Sequence, residues 1–144
     1  MEPILAEFIG TAVMILLGGG VVANVVLNQT KGNNSGWIVI TTAWAVAVFV
    51  GVTIAGPYSG AHLNCAVTLS VLFMGELSFV TALSYMAAQL AGAMLGAFVV
   101  WSVYKDHFDV TEDAGAKQAV FCTAPAIKNL PRNLLSEIVG TFVL

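Results

Sequence analysis

Two acids and one asparagine stand out in a chain that is otherwise poor in polar side chains. Glu7 and Glu137 each interrupt an apolar segment, and Asn64 opens a short apolar run after the turn Ser59-Gly60. An acid in such a segment is functional by default, either carrying a proton or holding backbone amides in place. An Asn at a helix start accepts from the first-turn amides with its side-chain oxygen, which leaves its amide hydrogens free to donate elsewhere. His62 lies close to Asn64, but no second His or acid stands near it in sequence, so neither a metal site nor a proton relay is expected. Cys65 follows Asn64, and a thiol at a helix N-terminus is expected to react where water reaches it. Trp44 lies seven residues inside Trp37. That is about 10 Å along a helix, too deep for an interfacial aromatic belt at that end.

These residues call for a bilayer around them. The 144-residue chain is 58% hydrophobic and 9% charged, where a soluble domain carries roughly 25% charged residues. Its net charge of −3 comes with no basic patch, so nucleic acid is not an expected partner. The two cysteines, Cys65 and Cys122, fall in a short apolar helix and a polar linker, and no disulfide framework is expected. The N-terminus lacks the basic region of a signal peptide, so its first apolar run reads as a retained span.

Three runs are long enough to cross about 30 Å of hydrocarbon, which takes roughly 20 helical residues. They cover about 4–27, 37–55 and 79–103. In the second, Ala43, Ala47, Gly51 and Ala55 recur every fourth position, a stripe on which another helix can approach closely. The third carries Gly92 and Gly96 as a GxxxG pair, with Gln89 nearby as interhelical glue. Gly56-Pro57 is expected to end the second helix, and Ala61 to Met74 is too short to span. Residues 56–74 therefore read as a re-entrant loop with a half-helix, and 104–133 as a polar linker.

The chain begins to repeat itself near its end. Ile4 to Met14 aligns without gaps on Leu134 to Leu144, with Leu, Glu, Gly, Thr and Val identical, so Glu7 matches Glu137. An odd number of spans per repeat inverts the second copy, so 1–133 read as one complete inverted-topology repeat and 134–144 as the truncated start of another. The loop after the first span and the linker after the third share one side and hold every Lys and Arg. The positive-inside rule assigns that side to the cytoplasm.

Gly60-Ala-His-Leu-Asn-Cys-Ala-Val-Thr68 resembles the first signature of the aquaporin and glycerol-facilitator family, Gly-Ala-His-x-Asn-Pro-Ala-Val-Thr. Ala6-Glu-Phe-x-Gly-Thr11, its copy at Ser136 to Thr141, and Ala88-Gln-Leu-Ala-Gly-Ala93 are also similar to family patterns. The resemblance implies an all-α, aquaporin-like inverted repeat with three transmembrane helices, one re-entrant half-helix and the start of a fourth helix. It also implies the opposite orientation to the charge rule. Two half-helices, one per repeat, would meet at the midplane, and only the first lies in this chain. The constriction Arg and the second Asn motif would lie beyond Leu144. Cys65 stands where the family most often has Pro, a change that costs about 1 kcal/mol or less of preorganisation.

By this resemblance Asn64 donates to a permeant in single file, and the carbonyls of Gly60, Ala61, His62 and Leu63 line the pore. Cys65 and Ala66 start the half-helix, whose positive dipole end repels cations. Glu7, Glu137 and Gln89 support the loops, and His62 supports the pore wall. Trp44, twenty residues before Asn64, resembles the constriction residue of the glycerol facilitators, where water-selective members typically carry Phe. Val48, one turn on, would extend its apolar wall. The expected function is a passive channel in the cell membrane for glycerol, related small uncharged solutes and water, without cofactor and homotetrameric when complete. A water-selective channel, a proton-coupled transporter using Glu7 and Glu137, and a non-conducting half-channel are the alternatives.

Overall fold

An apolar run with Pro3 in its first turn, where a missing amide costs nothing, becomes α1, Pro3–Val26. The computed structural model describes Met1–Leu144 and continues with α2, Trp37–Ser59, α3, Cys65–Phe73, and α4, Phe79–Val103. Two short helices follow, α5, Lys105–Val110, and α6, Ala114–Ala119, before α7, Leu130–Val143. There are no strands. Helices α1, α2 and α4 are long and apolar enough to cross a membrane, whereas the nine residues of α3 are not. The chain is an all-α, multi-pass membrane protein with one re-entrant half-helix, and α7 opens a fourth apolar segment.

α1 is the middle of the bundle, packed against both α2 and α4. Small residues set both approaches. A Cβ at Gly92 would collide with the Phe8 carbonyl, and one at Gly96 would lie 2.5 Å from the Ala12 carbonyl oxygen. On the other side Gly10 and Gly51 face each other, so that a Cβ on either would lie within 3.2 Å of the other's carbonyl oxygen. Ala47, Gly51 and Ala55 of the small-residue stripe are buried in this seam, and Ala43 is half-buried. Lipid tails give no hydrophobic drive for helix pairing, so this close backbone contact is the source of cohesion.

The second helix does not stop at Gly56-Pro57 as its sequence suggests. It runs through Pro57 to Ser59 and ends on Gly60 at φ 82°, whose amide donates to the Gly56 carbonyl. The residue before a proline is normally kept out of the helical region by a clash between the proline ring and its own Cβ. Gly56 has no Cβ, and Pro57 loses only one bond in the last turn.

The segment 104–133 is more ordered than a polar linker. Phe108 and Val120 pack with Ala23, Leu27 and Val100 in a buried cluster over the ends of α1 and α4. The α1–α2 loop folds back in the same region, where Asn33 Nδ2 and the Asn34 amide donate to the carbonyls of Leu27 and Val25, both at 2.9 Å. These bonds satisfy carbonyls at the end of α1 that have no helical partner.

Candidate functional site

Between α2 and α3 the backbone adopts conformations that few residues tolerate. Gly60, Ala61 and Leu63 have φ of 82°, 54° and 50°, and Asn64 returns to extended geometry. The left-handed region costs a non-glycine residue roughly 1–2 kcal/mol, so something must hold Ala61 and Leu63 there. Glu7 does so. Its side chain is fully buried. Oε1 accepts from Ser59 Oγ and from the His62 amide at 2.9 Å, and Oε2 accepts from the Leu63 amide and from Gln89 Nε2, both at 2.8 Å. Ser59 Oγ in turn accepts from the Ala61 amide at 3.1 Å.

A second set of bonds extends from this carboxylate into the half-helix. Gln89 Nε2 also donates to Thr68 Oγ1 at 2.9 Å, and Thr68 Oγ1 donates to the Asn64 carbonyl at 3.1 Å. His62 Nδ1 lies 3.1 Å from the same hydroxyl. The Thr68 hydroxyl thus joins Gln89, the Asn64 carbonyl and His62 in one cluster. The His62 ring also meets Tyr85 edge to face at 5.2 Å.

The side chain of Leu63 points away from this network, into the seam of α1 and α2 where both Gly10 and Gly51 make room for it. Its side chain is therefore not available to line a passage. The carbonyls of Gly60, Ala61, His62 and Leu63 accept no hydrogen bond from the chain. Asn64 caps α3, its Oδ1 accepting from the Ala66 amide at 2.8 Å. Its Nδ2 has no partner within the chain, and neither do the amides of Cys65 and Val67 in the first turn. Asn64 and Cys65 are exposed and Ala66 is half-buried. A row of free acceptors thus runs directly into a cluster of free donors at a helix N-terminus.

Trp44 and Val48 stand apart from this cluster. The Trp44 indole lies against Gly18 of α1, where a Cβ would come within 2.6 Å of three ring atoms, and Val48 is exposed one turn on. Trp44 lines a cavity of about 740 Å³ with Val22, Val26, Trp37, Ile40 and Thr41. Asn34 and the linker residues Cys122 and Thr123 complete its rim. Glu137 is not drawn into the network: it is exposed on α7. Ser59, Thr68 and Tyr85 belong to the site and were not singled out in the sequence. Thr68 sits one helical turn after Asn64, the spacing that would have revealed it.

The pattern of the family described as major intrinsic protein matches residues 1–144, the whole chain. The chain belongs to the major intrinsic protein family. Among relatives of this family it is 54% identical over its full length to the glycerol uptake facilitator protein of Streptococcus pneumoniae (strain ATCC BAA-255 / R6), covering 62% of that protein. It is 51% identical to the probable glycerol uptake facilitator protein of Thermotoga maritima, again covering 62% of it. A D/L-lactic acid transporter of Lactiplantibacillus plantarum is 36% identical over 99% of the chain and 60% of that transporter. The solved aquaglyceroporin from Plasmodium falciparum superposes with a TM-score of 0.67 at 33% identity, over 74% of this chain and 43% of that one. The chain thus spans about three-fifths of the length of the curated relatives it matches.

Proposed function

We propose that this major intrinsic protein forms a passive channel for glycerol and related small uncharged solutes, with water, and that it excludes ions and protons. The observation that carries this reading is the segment 60–64, where the free carbonyls of Gly60 to Leu63 meet the free amide of Asn64. Irregular backbone at membrane depth is tolerated where it lines a water-filled passage, because a permeant's hydroxyls replace the missing partners. A polyol can exchange hydrogen bonds along such a ladder while its carbons slide on an apolar wall, for which Trp44 and Val48 are the candidates. The half-helix directs its positive end and free amides at the same place, which disfavours cations and hydronium.

Two relatives named for glycerol uptake favour glycerol as the permeant. The relative named for lactic acid favours a second reading, a small hydroxy acid passing in its neutral form. Glu7 is a positioning group here rather than a proton carrier: its two carboxylate oxygens are taken up by two backbone amides of the loop, the Ser59 hydroxyl and the Gln89 amide. We read residues 1–133 as the first repeat and 134–144 as the opening of the second. The second repeat, in the same polypeptide or another, closes the pore, and Glu137 takes there the part that Glu7 plays here. The assembled channel is tetrameric in this reading.

The test compares glycerol with water in proteoliposome swelling. Trp44→Phe should lower glycerol flux relative to water, because it removes part of the wall against which the carbons pack. An unchanged ratio would remove Trp44 from the constriction, and a wild-type protein that passes water but no glycerol would make the channel water-selective.

A further inference from the structure

The cavity above Trp44 has one wall from the α1–α2 loop, at Asn34 and Gly36, and another from the linker, at Cys122 and Thr123. Neither wall lies within a membrane-spanning helix, so the gap between them depends on how each segment is tethered to the bundle and on what joins the two. The loop is anchored to α1 through Asn33 and Asn34, and the linker is anchored separately through Phe108 and Val120. The two meet at Asn28. Its amide donates to Thr111 Oγ1 at 2.9 Å, and its carbonyl accepts from His107 Nδ1 at 3.0 Å. Thr111 is 1% exposed, and its hydroxyl passes its own hydrogen to the His107 carbonyl at 2.6 Å. Both backbone groups of one loop residue are therefore held by a single short helix and its C-cap, α5 and Thr111.

We propose that Thr111 is a positioning residue for solute entry: through Asn28 it fixes the loop wall against the linker wall and so sets the size of solute admitted to Trp44. This rests on the channel reading given above. Thr111 touches no solute, because its hydroxyl is buried and fully used within the latch. Its effect is exerted through the relative position of the two rims. His107 provides the second point of attachment, so loss of either bond leaves a single hinge at Asn28.

Fluxes of glycerol and of a six-carbon linear polyol are measured in proteoliposomes for the wild type, Thr111→Val, Thr111→Ser and His107→Ala, with amide hydrogen exchange read at Asn28. Thr111→Val preserves shape and removes the acceptor. It should speed Asn28 exchange about tenfold, the effect of losing one buried hydrogen bond, and raise the hexitol-to-glycerol flux ratio several-fold. Thr111→Ser keeps the hydroxyl and should keep the wild-type ratio, which a purely structural loss of the methyl would not. His107→Ala should shift the ratio in the same direction by less. A Thr111→Val protein with fast Asn28 exchange and a wild-type flux ratio overturns the proposal. If Thr111→Val does not insert, a wild-type ratio in His107→Ala overturns it instead. With both repeats present, a wild type that moves no glycerol overturns the channel reading and this inference together, whereas an unchanged ratio in a conducting channel overturns the latch alone.

Discussion

Glu7→Gln is the sharpest probe of the loop, because it keeps the shape of the side chain and changes one acceptor into a donor. Two orientations are open to the new amide. With its nitrogen in the place of Oε1, it donates to Ser59 Oγ, which gives its own hydrogen to the Ala55 carbonyl at 3.3 Å, and only the His62 amide loses its acceptor. With its nitrogen in the place of Oε2, it faces the Leu63 amide and Gln89. Turning Gln89 to offer its Oε1 would carry its own amide hydrogens into the buried place of Oε1, where no acceptor lies, and would break its bond to Thr68. The first orientation therefore costs less and leaves one orphaned donor, the His62 amide. An unsatisfied buried amide costs about 1–3 kcal/mol. Ala61 and Leu63 on either side of His62 also store left-handed strain of roughly 1–2 kcal/mol each, so the cheapest response is local release of the loop.

The expected result is amide exchange at His62 faster by about ten- to a hundredfold, with a smaller change at Leu63, and loss of glycerol flux without loss of the folded bundle. Hydrogen exchange in detergent or nanodiscs reads the first, and proteoliposome swelling reads the second. Unchanged exchange at His62 together with normal flux would refute the assignment of Glu7 as the group that holds this backbone.

The helix crossings give a second test. Gly92→Ala pushes a methyl into the Phe8 carbonyl, with Phe8 C and Ala12 N also within 3.2 Å, and backbone cannot yield as a side chain does. It should destabilise the bundle by about 1–3 kcal/mol in chemical unfolding, whereas Gly20→Ala, with nothing within 4 Å, should be neutral or slightly stabilising. Equal effects at the two sites would mean that α1 and α4 do not pack through Gly92. Ala61→Gly should run against the usual cost of adding glycine, since φ of 54° is strained for alanine. Relief of about 1–2 kcal/mol outweighs an entropic cost of roughly 0.4–1 kcal/mol, so a thermal unfolding scan should find the variant at or above wild type. A clear loss of stability would argue against the left-handed geometry.

Much of this site was legible before the fold was known, and the reason differs from residue to residue. Asn64 was readable as a cap because N-capping is local: the oxygen reaches an amide only two residues away. Gly92, Gly96 and the Ala47–Gly51–Ala55 stripe were readable because close helix contact in a membrane requires small residues at helical spacing. Pro57 misled because the rule against helix before proline assumes a Cβ on the preceding residue, and Gly56 lacks one. The segment 104–133 misled because its polar composition hid two apolar anchors, Phe108 and Val120, whose partners lie on α1 and α4.

The sequence by itself determined that the chain crosses a membrane, that α3 is too short to do so, and that an Asn-capped half-helix follows an irregular turn. These follow from hydrophobic length and local hydrogen bonding, which act over a few residues. Only the tertiary structure decided what the buried acid is for. Glu7 and the amides it holds are more than fifty residues apart, and Gln89 is further still. No local pattern can show that one carboxylate takes four donors from three different elements. The close crossing of α1 with both α2 and α4 brings them together, and that crossing in turn depends on glycines that carry no chemistry of their own.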